Sequence, residues 1–276
     1  MAAWSRYPDL MLPTSDALPG RDDTRVDEIV IALAEQHAEL AGILAPLDDT
    51  DWRRDSPCDG WTVADVVLHL SQTDELAIGS VQHRFEEALA VLTDGVGFAD
   101  SIDAGADVMV VRDRVQSVAS IHERWRRGAE ILDGLFVDAD LHARVTWVAG
   151  ELSVRTLVTT RLAECWIHTG DVAIALGRDL APTNRLRHVA RLAWRTVPYA
   201  FARAGRELSG PVAFELTGLD GEPWSFRPDE EADTVVEGDG VELCMVAARR
   251  VDPRDTGLRA EGPDADGVLQ LVRTYA

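Results

Sequence analysis

The stretch RLAECWIHTGD, Arg161 to Asp171, sets Glu164 and His168 four residues apart inside an otherwise apolar segment. On an α-helix that spacing leaves roughly 40° of arc and one turn of rise between the two side chains, so both project from one face. A bundle helix normally carries core on such a face, and a carboxylate buried there needs a partner that offsets its lost hydration. Whether the flanking chain supplies further helices to enclose this one decides the fold.

Working outward, the helix around the stretch spans roughly Ser153 to Leu176. Upstream, VDEIVIALAEQHAELAGILAPL from Val26 spaces Ile29, Leu33, His37, Leu40 and Ile43 along one side. A second helix opens at Trp61 in WTVADVVLHLSQTDELAIGSVQHRFEEALAVL, with Thr62 and Asp65 in a capping arrangement before Val66, Val67 and Leu70. The Gly-rich DGVGFADSIDAGAD ends it. A third runs from roughly Val108 to Leu135, with Val111, Val115, Val118, Ile121, Trp125 and Ile131 on its apolar side. Four long amphipathic helices with connections of moderate length suit an antiparallel four-helix bundle.

Past GRDLAPT the pattern changes. RLRHVARLAWRTVPYAFARAG reads as one more helix, and PVAFELTG, EPWSFRP, DTVVEG and TGLRAEG read as strands bounded by turn signals. GVELCMVAARR and ADGVLQLVRTYA read as helices among them. The expectation is an α+β protein with an irregular arm over 1–25, a four-helix bundle over 26–180 and a smaller C-terminal α/β domain over 181–276.

Composition narrows the function. Acidic residues outnumber basic ones by 48 to 27, a formal net charge of −21 that repels phosphate backbones and anionic headgroups, so neither nucleic acid nor membrane is expected as a partner. All 27 basic residues are arginine, which removes Schiff-base chemistry and a phosphate-loop lysine. Three widely spaced cysteines argue against a disulfide framework and, with no signal-peptide pattern at the N-terminus, fit a cytoplasmic protein.

Glu164 and His168 offer two ligands from one rigid element, and the second helix offers a third in His69, on its core-facing side. Two imidazoles and a carboxylate suit a borderline divalent metal such as zinc and leave a coordination position open for chemistry. Glu and His at this spacing can instead simply hydrogen-bond. Asp171, one turn past His168, reads either as a partner of that ligand or as a helix-end charge. Cys165 points about 100° away from Glu164 and reads as packing. Cys58 precedes the GWTV turn and could approach the mouth of the site, but as a loop cysteine without a neighbouring His or Arg signal it is a weak nucleophile candidate. Asp74 and Glu75, one to two turns past His69, could line the metal pocket but read first as a solvated face, and the remaining histidines lack a partner at ligand spacing.

PCDGWTVADVVLHL and, about a hundred residues later, AECWIHTGDVAIALG resemble the mycothiol-dependent maleylpyruvate isomerase family of the DinB-like superfamily. TNRLRHVARLAWRTVPYAFARAG, PVAFELTG and ELCMVAARR extend the resemblance, so that it covers about residues 26 to 276. It implies that the bundle is DinB-like and that His69, Glu164 and His168 hold a divalent metal, usually zinc. It implies mycothiol as the thiol that this metal activates, and an arginine of the C-terminal domain, Arg249 or Arg250, that grips a substrate carboxylate. Bidentate recognition is the physical reason to expect arginine there, although a helix C-terminus favours it anyway.

The expected function is thus a metal-dependent enzyme that activates mycothiol for transfer to, or isomerisation of, a small electrophilic metabolite. S-transfer stands ahead of isomerisation, which requires the thiol to add and leave around a particular double bond. A thiol-independent Lewis-acid hydrolase or cyclase and a non-catalytic metal-binding protein are the alternatives. Both a monomer and a homodimer fit the sequence.

Overall fold

The computed structural model describes residues 26–95, 102–148 and 150–274, so the arm expected over 1–25 lies outside the described residues. The chain divides between Leu180 and Ala181 into two compact units of mixed α and β structure.

The first unit runs α1 (Glu28–Leu44), a single turn α2 (Asp49–Trp52), α3 (Val63–Val81), α4 (Phe85–Leu92), α5 (Ile102–Asp113) and α6 (Val118–Asp138). An antiparallel hairpin, β1 (Arg144–Trp147) and β2 (Gly150–Ser153), then leads directly into α7 (Val154–Ala175). The long helices contact one another pairwise, α1 against α6 and α7, and α3 against the same two. The apolar face expected of α1 is buried as a stripe.

Helix α3 begins where the capping pattern requires. Thr62 accepts from the Asp65 amide while Asp65 accepts from the Thr62 amide, a reciprocal cap worth about 1 kcal/mol. Three valines in the first five residues are mediocre helix formers, so propensity alone does not hold this helix. Val63, Val66, Val67 and Leu70 are fully buried, each contributing about 1.5–3 kcal/mol relative to exposure.

Two helices that sequence periodicity draws as continuous are broken. The expected second helix stops at Val81, and His83 adopts a left-handed φ of 57° before α4 folds back. Gly79 permits that return, since a Cβ there would lie 2.6 Å from the Ala88 methyl. The expected third helix is interrupted between Asp113 and Val118, where Ser117 caps α6. Val115 consequently sits in a connection at 87% exposure, and Val111 and Ile131 are also exposed; they are not core, contrary to the helical reading.

The second unit starts with α8 (Leu186–Arg195) and α9 (Val197–Arg203), a pair that sequence reading takes as one helix. Pro198 carries no amide hydrogen to donate to Trp194, and the chain turns at Thr196. A four-stranded sheet follows in the order β4-β3-β5-β6, from β3 (Val212–Thr217), β4 (Pro223–Phe226), β5 (Thr234–Asp239) and β6 (Arg259–Glu261). Only the β3–β5 pair is parallel. Helix α10 (Gly240–Ala247) continues from β5 and packs on α8, and α11 (Ala265–Leu271) packs on α9. The fully buried Trp224 anchors this core; a Cβ on Gly240 would come within 2.5 Å of its ring, so glycine is required at the start of α10.

Candidate metal centre

Helix α7 starts at Ser153, whose hydroxyl accepts from the Thr156 amide, and then runs unbroken past Glu164, His168 and Asp171. Helix α3 packs beside it and brings His69 to the same level. His69 Nε2 lies 3.4 Å and His168 Nε2 3.8 Å from one atom, Glu164 Oε2. The imidazole centroids are 5.0 Å apart and nearly perpendicular. His69, Glu164 and His168 are 7%, 8% and 6% exposed, so all three polar heads have left bulk water. Of the expected trio, none is left outside the cluster.

Of the two roles left open in the sequence, Asp171 takes that of a partner to His168. Its Oδ2 lies 2.9 Å from His168 Nδ1 inside the core, 1% exposed, so it addresses the imidazole. Accepting from Nδ1–H assigns the hydrogen of the neutral ring to that nitrogen and leaves Nε2 as a lone pair. That lone pair faces the Glu164 carboxylate, which is also an acceptor. Among the described residues, Glu164 Oε1 and His69 Nδ1 are buried without a hydrogen-bond partner. Acceptors converging in a dry interior repel one another unless a cation or proton lies among them. The donor set therefore fits a divalent metal on its own chemistry.

Electrostatics point the same way. Burial holds His69 below its ordinary pKa, which favours the neutral imidazole a metal requires. Burial pushes Glu164 up, but the hydrogen bond with His69 and the nearby imidazoles and Arg161 outweigh it, and the carboxyl stays below its ordinary value.

Two further groups border the cluster. The Trp61 ring lies 5.1 Å from that of His69 and anchors its own indole N–H on Asp107 at 3.0 Å. Cys58 does approach the site, and the neighbours its loop does not show come from α7: its Sγ lies 3.2 Å from Asp171 Oδ2 and 3.9 Å from His168 Nδ1. No local spacing announces that contact, which joins positions 113 and 110 residues apart. Cys165 packs in the core as expected, its thiol pushed up by burial. Asp74 is a second correction, because it is fully buried against Arg161 and not on a solvated face. His37 pairs with Asp133 at 2.9 Å.

Arg249 and Arg250 belong to the second unit. Arg249 ends α10 in the left-handed region, at φ 60°, and donates to the Gln270 carbonyl at 2.8 Å. Arg250 donates to the Ala248 carbonyl at 2.9 Å.

Two helices that present two imidazoles and a carboxylate to one another, followed by a mixed-sheet unit, define an α+β protein with a buried cation-type donor set. Residues 33–173 match the mycothiol maleylpyruvate isomerase N-terminal domain. The uncharacterized protein Rv0036c of Mycobacterium tuberculosis H37Rv is 30% identical over 251 residues, spanning 90% of this chain and 95% of its own, and its counterpart in strain CDC 1551 shows the same values. Two crystal structures titled as mycothiol-dependent maleylpyruvate isomerase, one of them a mutant, share the fold with a TM-score of 0.56 at 16% and 15% identity. Each superposition covers 88% of this chain and 97% of the other. The chain belongs to the mycothiol maleylpyruvate isomerase N-terminal domain family, a family of isomerase-like enzymes.

Proposed function

We propose that the first unit is a DinB-like four-helix bundle whose His69, Glu164 and His168 hold one divalent cation, zinc by the chemistry of the donors, in a cytoplasmic enzyme that uses mycothiol. The observation that carries this reading is the convergence of both Nε2 atoms on Glu164 Oε2 while Oε1 has no hydrogen-bond partner among the described residues. When bound, such a cation supplies Lewis acidity and lowers the pKa of a coordinated thiol to yield a nucleophile at neutral pH.

The chain's own residues have separate tasks. Asp171 holds the hydrogen at His168 Nδ1 and so keeps Nε2 free as a donor. Trp61 covers His69 on one side and keeps water from it. A carboxylate on the substrate calls for an arginine fork, and Arg249 and Arg250 carry that expectation. Membership of an isomerase-like family reverses the order read from sequence, favouring a thiol that adds to a small electrophilic metabolite and is released again over one that stays in the product.

Replacing Asp171 with Asn offers an amide that can donate as well as accept, and no longer fixes the imidazole hydrogen. Cation affinity is expected to fall about 10- to 100-fold with the fold retained, as measured by chelator competition. Unchanged affinity would return Asp171 to a helix-end role. The function is tested by calorimetric titration of mycothiol into cation-loaded and cation-stripped protein. Binding that appears only in the loaded form supports the reading; binding indifferent to the cation, or none, sinks it.

A further inference from the structure

Arg161, one turn before Glu164 on α7, and Asp74, on α3, are each 1% exposed. The guanidinium places Nε and Nη2 each 3.1 Å from Asp74 Oδ1, and Nη2 also donates to Thr73 Oγ1 at 2.8 Å. The Thr73 hydroxyl in turn lies 3.0 Å from the main-chain carbonyl of His69 and 3.1 Å from that of Leu70. A single side chain on the helix of Glu164 and His168 thus reaches the backbone of the third donor through one hydroxyl.

Holding α3 against α7 requires no charge, since an apolar pair of similar volume would do so with less desolvation. A guanidinium gives something an apolar pair lacks: a rigid planar fork whose direction is fixed by two acceptors on the opposite helix. The fork sets the relative height of the two helices at the level where the imidazoles and the carboxylate meet. Packing alone tolerates small slides that a three-donor site does not.

We propose that Arg161 is a positioning residue for the donor cluster, acting through Thr73 and Asp74 to fix His69 on α3 in height against Glu164 and His168 on α7. The proposal rests on the reading of those three residues as a cation site, and a cation-free readout separates the two.

The variants are Arg161→Met/Asp74→Leu, which removes both charges at similar bulk, and Arg161→Lys, which keeps the charge and loses the fork. Co2+ is the probe, followed by its affinity and its visible spectrum; the imidazole 15N resonances of His69 are recorded in cation-free protein, and folding is checked by thermal melting. The expected result for both variants is affinity about 10- to 100-fold below wild type, an altered Co2+ spectrum, and His69 resonances displaced before any cation is added. Wild-type affinity, spectrum and resonances in a folded variant would overturn the positioning role and leave the pair as a plain helix contact. Should the double variant not fold, Arg161→Lys decides the matter alone. If the wild type itself takes up no Co2+, the cation reading fails, and the His69 resonances of the variants still decide whether Arg161 positions that side chain.

Discussion

Replacing His168 with alanine is expected to yield a folded protein that no longer retains a stoichiometric divalent cation. The imidazole supplies one of three donors, and its loss removes the ring whose Nδ1 lies 2.9 Å from Asp171 Oδ2. Four-ligand structural zinc sites bind with about 10–16 kcal/mol, so one donor is worth roughly 3 kcal/mol, or more than about a hundredfold in affinity. Elemental analysis of untagged wild type and variant, after dialysis against a weak chelator, reads this directly. About one equivalent in the wild type and none in the variant is the expected pair of values. A cation kept by the variant would place the binding site elsewhere, and none in either protein would reduce the trio to a hydrogen-bonded core cluster.

The second large effect is on stability. Asp74→Ala leaves the Arg161 guanidinium in the interior with Thr73 Oγ1 as an acceptor but without the carboxylate in direct contact with it. Breaking one side of a buried ion pair costs about 3–5 kcal/mol, which for a unit of this size lowers the melting temperature by roughly 10 °C. The paired change Arg161→Met/Asp74→Leu should melt close to wild type, because both charges leave together. Burial pushes the Asp74 carboxyl up in spite of the guanidinium beside it, the sign of a pair whose attraction does not offset its desolvation. Circular dichroism melts of the two variants side by side decide it; a single variant within about 2 °C of wild type would show that water reaches Arg161.

What could be read from the sequence, and what could not, follows the range of the interactions concerned. The stripe on α1, the cap at Thr62 and the shared face of Glu164 and His168 are set within one or two turns, and periodicity exposes them. Asp171 was within the same reach, three residues from His168 on one side of the helix, but spacing did not say which partner it would take. The break before α6 is hidden because Val111 and Val115 continue an apolar pattern that the serine cap at 117 interrupts. The hairpin of β1 and β2 is too short for periodicity to mark it, although RVTW alternates between exposed and buried. Cys58 and the Arg161–Asp74 pair depend on helices packing at separations of 87 residues and more, which no local window contains.

The same separation has a consequence in time. His69 and Glu164 stand 95 residues apart in the chain. At about 5–20 residues per second, a ribosome delivers Glu164 roughly 5–20 s after His69. A nascent chain therefore exposes one imidazole of the set well before the other donors exist, and a single imidazole binds any divalent ion weakly. For the cation site proposed above, selection among ions would be deferred until α7 emerges and docks on α3, so that the folded cluster, and not the growing chain, would choose what it holds.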